Sequence, residues 1–134
     1  MMRLNPYLSF VDNAREAMEF YQSVLGGELN VMRFGDMGAD GPEKDLVMHS
    51  QLLTDEGFCL MGADTPPGME YAKPAGITIS ISGDDAETMR GYFAALAEGG
   101  TVSMPLEKQV WGDEFGALVD RFGIDWLVNI AGSR

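Results

Sequence analysis

Residues 4–27 read LNPYLSFVDNAREAMEFYQSVLGG. The run Leu4-Asn5-Pro6-Tyr7-Leu8-Ser9-Phe10-Val11 alternates and predicts a strand, with Leu4, Leu8 and Phe10 on one face and Asn5, Tyr7 and Ser9 on the other. Asp12 or Asn13 is placed to cap a helix, and Glu16 completes a capping box if Asn13 is the cap. Ala14, Ala17, Met18, Tyr21, Val24 and Leu25 recur at helical spacing, and Gly26-Gly27 ends the run because glycine accepts the left-handed conformation of a helix C-terminus.

Working outward, Leu29–Phe34 predicts a second strand, and 35–44, rich in Gly, Asp and Pro, predicts a loop. Two strands follow, Leu46–Thr54 and Phe58–Gly62, joined by the short turn Asp55-Glu56-Gly57. Asp64–Pro74, with Pro66-Pro67-Gly68, reads as a linker. The pattern then restarts. Ile77, Ile79 and Ile81 alternate with Thr78, Ser80 and Ser82; Asp84 or Asp85 caps a helix carrying Met89, Tyr92, Phe93 and Leu96; Gly99-Gly100 stops it. Val102–Val110, Glu114–Val119 and Ile124–Ile130 predict three more strands, with Arg121-Phe122-Gly123 at the last turn.

The halves also repeat in residues. Ser9 and Ser80, Glu16 and Glu87, Met18 and Met89, Tyr21 and Tyr92, and Leu25 and Leu96 are each 71 apart, while the glycine pairs are 73 apart. The expectation is an α+β fold of two βαβββ modules in one domain, 1–134: module 1 over about 1–65, a linker over about 64–74, and module 2 over about 75–134.

The 134 residues suffice for one core. A net charge of −12 argues against nucleic acid and anionic membrane surfaces, both of which need clustered Lys and Arg. No apolar run has bilayer-spanning length, and no signal-peptide pattern opens the chain. With Cys59 as the lone cysteine, no intrachain disulfide forms, which fits a cytoplasmic protein.

Asn5–Phe10, Ala17-Met18-Glu19-Phe20-Tyr21, Leu25-Gly26-Gly27, Val47-Met48-His49-Ser50, Trp111-Gly112-Asp113, and Asp120–Trp126 with Asn129 together resemble the PhnB-like branch of the vicinal oxygen chelate superfamily. That superfamily includes glyoxalases, bleomycin-resistance proteins and extradiol dioxygenases. The resemblance covers nearly the whole chain. It implies curved mixed sheets around a cleft, a homodimer, and in many members a divalent metal held by His and Glu that acts as a Lewis acid. Labels of a quinone methyltransferase or a phosphonate role attach to this branch. No glycine-rich loop follows a strand here in the nucleotide-binding pattern, so methyl transfer is not expected.

The ligand positions that the resemblance implies fall on Asn5, Gly76, Met61 (or Leu60) and Leu127, none of them His, Asp or Glu. No metal is therefore assigned, and no cofactor is expected at the usual place. If the Asn5 face lines the cleft, it carries Asn5, Tyr7 and Ser9, with Thr78 and Ser80 by the repeat; His49, Gln51, Cys59, Asp125 and Asn129 can join them. Strand alternation groups His49 with Val47 and Gln51. Met32, Met48, Met61 and Met104 offer an adaptable apolar wall. Trp111 and Asp113 belong to a cleft rim, and Asp113 and Glu114, as strand neighbours, point to opposite faces. Trp126 packs against a helix, and Asp120 and Arg121 belong to a turn or a surface ion pair.

His49 is the candidate catalytic residue, since imidazole changes charge near neutral pH; the alternative is a hydrogen-bonded structural role. Cys59 is a small strand hydrophobe or a nucleophile. The leading functional expectation is a small-molecule-binding member of the superfamily, its partner a small organic ligand. A second is a metal-dependent lyase, isomerase or dioxygenase with a relocated divalent-metal site at His49. A third is a sequestering or resistance-type binder that performs no chemistry.

Overall fold

The computed structural model describes residues 2–132. The chain divides into two units, Met1–Lys73 and Pro74–Arg134. Unit 1 runs β1 (Tyr7–Phe10), α1 (Ala14–Leu25), β2 (Glu28–Arg33), β3 (Val47–Leu53) and β4 (Cys59–Asp64). Its sheet order is β1-β4-β3-β2, with β1 parallel to β4 and the other pairs antiparallel. Unit 2 repeats the plan with β5 (Ile79–Gly83), α2 (Ala86–Ala97), β6 (Thr101–Lys108), β7 (Glu114–Val119) and β8 (Asp125–Ile130), in the order β5-β8-β7-β6. Both are βαβββ modules with a mixed four-stranded sheet, as expected. No described helix is long and apolar enough to cross a membrane.

In each unit the helix covers one sheet face and leaves the other uncovered by it. Ala14, Ala17, Met18, Tyr21 and Leu25 form the buried stripe of α1, facing Phe10, Leu52 and Leu60. Gly62 makes room for that contact: a Cβ there would lie 3.1 Å from Met18 Sδ and 3.2 Å from the Phe10 ring. In unit 2, Met89, Phe93 and Leu96 of α2 are buried with Ile81, Leu118, Val128 and a fully enclosed Trp126.

Several boundaries move, each for a local reason. β1 starts at Tyr7, and Leu4 is fully exposed rather than on the buried face. Pro6 has no N–H for the ladder, and its carbonyl accepts from Met61 N. The 35–44 stretch holds most of two 3₁₀ turns, Phe34–Met37 and Pro42–Asp45. β4 continues to Asp64, which is buried and not part of a linker. Asn13 sits at the N-cap of α1 but makes no side-chain cap bond. Asp64 Oδ1 instead accepts from Ala14 N at 2.9 Å, and Oδ2 accepts from Val47 N at 2.9 Å. Asp85 caps α2 as expected, accepting from Thr88 N.

Strand pairing corrects the repeat. Tyr7 pairs with Met61 and Ser80 pairs with Leu127, while the β3–β4 register maps onto β7–β8 with a uniform 66-residue step. Tyr7 therefore corresponds to Ser80, and Ser9 to Ser82 rather than Ser80. The first strands step by 73 residues and the helices (Ala14–Leu25 to Ala86–Ala97) by 72, so neither keeps the 71-residue offset of the identities.

Candidate functional site

β-alternation turns Tyr7 and Ser9 of β1, His49 and Gln51 of β3, and Cys59, Met61 and Ala63 of β4 away from α1. Val47 does not join them. Met32 pairs with His49 and Arg33 with Val47, so Met48 is an extra, unpaired residue, a β-bulge. The bulge resets the alternation, and Val47 is buried at 1% exposure while His49 is half-buried on the other face.

That face gathers an uncharged polar patch. The Tyr7 hydroxyl and His49 Nδ1 are 2.9 Å apart and hydrogen-bonded, with the rings 5.6 Å apart and tilted by 31°. Tyr7 is half exposed, and its partial burial pushes the phenol above its ordinary value, further from neutral pH, where a phenol is already protonated. Met61 lies next to Tyr7 on one side and Gln51 on the other, and Asn30 of β2 pairs with Gln51. Two depressions flank the Tyr7–His49 pair. One, of about 280 Å³, is lined by Asn30, Val31, Met32, His49 and Gln51. The other, of about 390 Å³, is bordered by Tyr7, Ser9, Phe34, Met48 and Ala63, by Asp64 at the end of β4, and by Thr65, Met69 and Glu70 of the segment that follows. Asn5 is half-buried just before β1, and Cys59 lies at the hairpin end of the face, opposite Leu53.

In unit 2, Thr78 and Ser80 are exposed, and Asp125 is half-buried opposite Val119. Trp111 is exposed and meets Phe115 edge-on at 6.4 Å. Asp113 departs from its expected place on the rim. It is 8% exposed, accepts from Gly132 N at 2.9 Å and from Asn129 Nδ2 at 3.1 Å, and ties the end of β8 to the start of β7. Asp120 is likewise buried in a turn rather than in a surface ion pair, and Trp126 packs beneath α2 as expected. Arg90 and Glu114 form a charged pair in this unit. The Arg90 hydrogen bond holds the Glu114 carboxyl below its ordinary range and raises the guanidinium in turn.

The structure thus brings Tyr7, Ser9, His49 and Gln51 together on one face, with Tyr7 and His49 in direct contact. Asn30, which sequence reading missed, becomes visible only through the β2–β3 register.

The family described as 3-demethylubiquinone-9 3-methyltransferase matches residues 2–129. The chain belongs to that family. Protein YjdN of Escherichia coli K12 is 30% identical over 141 residues, spanning 96% of this chain and 95% of that protein. Protein PA1353 from Pseudomonas aeruginosa is 40% identical, with 99% of this chain and 100% of that one superposed at a TM-score of 0.89. A PhnB protein from Bacillus cereus (23% identical, 97% and 100% covered, TM-score 0.75) shares the fold. So does a glyoxylase/bleomycin resistance protein/dioxygenase domain from Frankia (13% identical, 98% of each chain covered, TM-score 0.66). The family is thus shown by the sequence, and the fold is the one shared with the PhnB protein and the glyoxylase/bleomycin resistance/dioxygenase domain.

The donors at the metal-ligand positions that the resemblance implies do not fit a divalent metal. Strand pairing matches Asn5 with Thr78 in place of Gly76, and Met61 with Leu127. An amide, a hydroxyl, a thioether and an alkyl group supply neither the imidazole and thiolate donors of zinc nor the carboxylates of hard cations. Among the described residues, no three His, Cys, Asp or Glu side chains are grouped to hold a metal.

Proposed function

We propose that this chain binds a small uncharged organic molecule on the face of the first sheet turned away from α1, at the Tyr7–His49 pair. The observation that carries this reading is the pair itself. Two polar aromatic side chains, 42 residues apart, are joined by a 2.9 Å hydrogen bond between two depressions, with amides and thioethers around them. In a chain of net charge −12, the depression on the His49 side is lined by amides and apolar groups, while Glu70 borders the one on the Tyr7 side. Among the described residues, neither lining carries a Lys or Arg for an anionic ligand, and the His49 side suits a neutral one. Asp64 borders one depression, but both its oxygens are engaged with backbone N–H groups. Met32 and Met61 supply a deformable apolar wall. Methyl transfer, which the family description names, is not proposed, since no feature of this face suits a nucleotide-type methyl donor.

The pair also suits acid–base chemistry, and a ligand seated against His49 would meet it directly. We further propose a cytoplasmic homodimer. The motivation is β6, an edge strand with seven of its eight residues exposed, Val102 and Met104 among them. Sedimentation at micromolar concentration is expected to give twice the chain mass, and monomer alone would refute the dimer.

Thermal-shift and NMR screening of neutral aromatic and heteroaromatic compounds tests the binding reading. Hits are expected to perturb His49 and Tyr7 and to weaken about tenfold or more in His49→Ala. Hits that ignore both residues would move the site elsewhere.

A further inference from the structure

The proton shared between Tyr7 and His49 determines what the rest of the imidazole offers. A phenol O–H is a stronger donor than a neutral imidazole N–H. The in-plane lone pair of a bare ring nitrogen is a stronger acceptor than a phenol oxygen, whose lone pairs are partly drawn into the ring. A phenol is protonated at neutral pH in any case, and the partial burial of Tyr7, which is 51% exposed, raises it further in the same direction. Donor and acceptor strengths thus favour Tyr7 as donor to His49 Nδ1, an arrangement that, for an uncharged ring, leaves the single ring proton on Nε2. The two ring nitrogens point in widely different directions. Nδ1 is turned toward β1, while His49 lines the depression of about 280 Å³ that Tyr7 does not border. Among the described residues, Tyr7 is the one hydrogen-bond partner of this ring. No carboxylate among the described residues lines that depression to reverse its polarity; its other polar side chains are the Asn30 and Gln51 amides.

We propose that Tyr7 is a positioning residue that locks neutral His49 as the Nε2–H tautomer, so that the site presents a fixed N–H donor and selects uncharged organic molecules carrying an acceptor oxygen, such as a carbonyl. The ligand class rests on reading this face as an organic-ligand site, whereas the tautomer lock does not.

His49 is the only histidine, so long-range ¹H–¹⁵N spectra of labelled protein report one imidazole. At a pH where the ring is neutral, the wild type is expected to show a pyridine-type Nδ1 and a pyrrole-type Nε2. Tyr7→Phe is expected to show averaged, mixed tautomers with the fold retained. A proton on Nδ1 in the wild type, or nitrogen shifts unchanged in Tyr7→Phe, overturns the lock. Acetophenone and α-methylstyrene, which exchange C=O for C=CH₂ on one frame, test the ligand class. Acetophenone is expected to shift the Nε2 resonance and to bind about fivefold more tightly than the alkene, an advantage lost in Tyr7→Phe. Equal binding of the two overturns the acceptor preference. Binding of neither, with the tautomer as expected, overturns the organic-ligand reading and leaves the lock standing.

Discussion

In the turn from β3 to β4, Thr54 N donates to the Phe58 carbonyl, Gly57 N to the Thr54 carbonyl, and Phe58 N to Thr54 Oγ1. In the turn from β7 to β8 the same three bonds recur 66 residues on. Asp120 N donates to the Ile124 carbonyl, Gly123 N to the Asp120 carbonyl, and Ile124 N to Asp120 Oδ1. The backbone solution is common, but the side chain that completes it is a hydroxyl in one unit and a carboxylate in the other. The carboxylate does more, accepting also from Phe122 N at 2.8 Å and Trp126 Nε1 at 2.9 Å. A similar exchange joins the opposite ends of the same strands. Asp64 at the end of β4 reaches Val47 N at the start of β3. In unit 2, Asp113, at the Val47 position, reaches Gly132 N just beyond β8. The two modules conserve where a stitch is needed and not which strand supplies it. The uncovered faces differ more. Tyr7, His49, Gln51 and Met61 correspond to Ser80, Phe115, Ala117 and Leu127, so the hydrogen-bonded pair exists in one unit alone.

The largest effect expected from this comparison is at the turns. Asp120→Ala strips the side-chain acceptor from three N–H donors, two of them in buried bonds, and is expected to cost about 4 kcal/mol in urea denaturation. Thr54→Ala removes one acceptor and is expected to cost about 1 kcal/mol. Equal losses would mean that the indole and extra amide bonds add nothing to the second turn.

Next come the glycines that close the helices. A Cβ on Gly27 would lie 2.7 Å from Thr54 Cα at a φ of +93°, and one on Gly100 would lie 2.9 Å from Asp120 Cα with no left-handed backbone. Gly27→Ala is expected to cost about 3 kcal/mol and Gly100→Ala about 2 kcal/mol, the difference being the backbone strain. A reversed order would show that the two turns do not resist crowding alike.

The smallest effect separates Glu114 from Met48, its counterpart in unit 1. Because Arg90 lowers the Glu114 carboxyl, their bond favours the folded chain above the ordinary carboxylate range. That contribution fades as pH falls through the lowered folded-state value. In Arg90→Ala, an NMR titration of Glu114 is expected to move back up toward the ordinary carboxylate value; an unmoved titration would exclude Arg90 as the cause. Thermal unfolding is expected to change little, since exposed ion pairs contribute little.

Much of the fold was legible in the chain. β7 runs Glu114–Val119 as read, and α1 and α2 end before the predicted glycine pairs. The candidate face was legible as residue types on alternating positions, with Tyr7, Ser9 and Gln51 on it. What misled was position along the chain. The 71-residue identities match neither the helices, which step by 72, nor the strands, because differences in the lengths of the connections are invisible to a fixed offset. Asp64, next to prolines, reads as linker until its two N–H partners are known.

The sequence by itself determined the element order, the two modules and which residues alternate on each strand. These follow from local periods of two and 3.6 residues and from glycine at helix ends. Only the tertiary structure decided the bulge at Met48, the capping of α1 by a carboxylate 50 residues away, and the meeting of Tyr7 with His49 across 42 residues. Each depends on strand register, where a slip of one residue exchanges the faces, and register is set by packing between segments far apart in the chain.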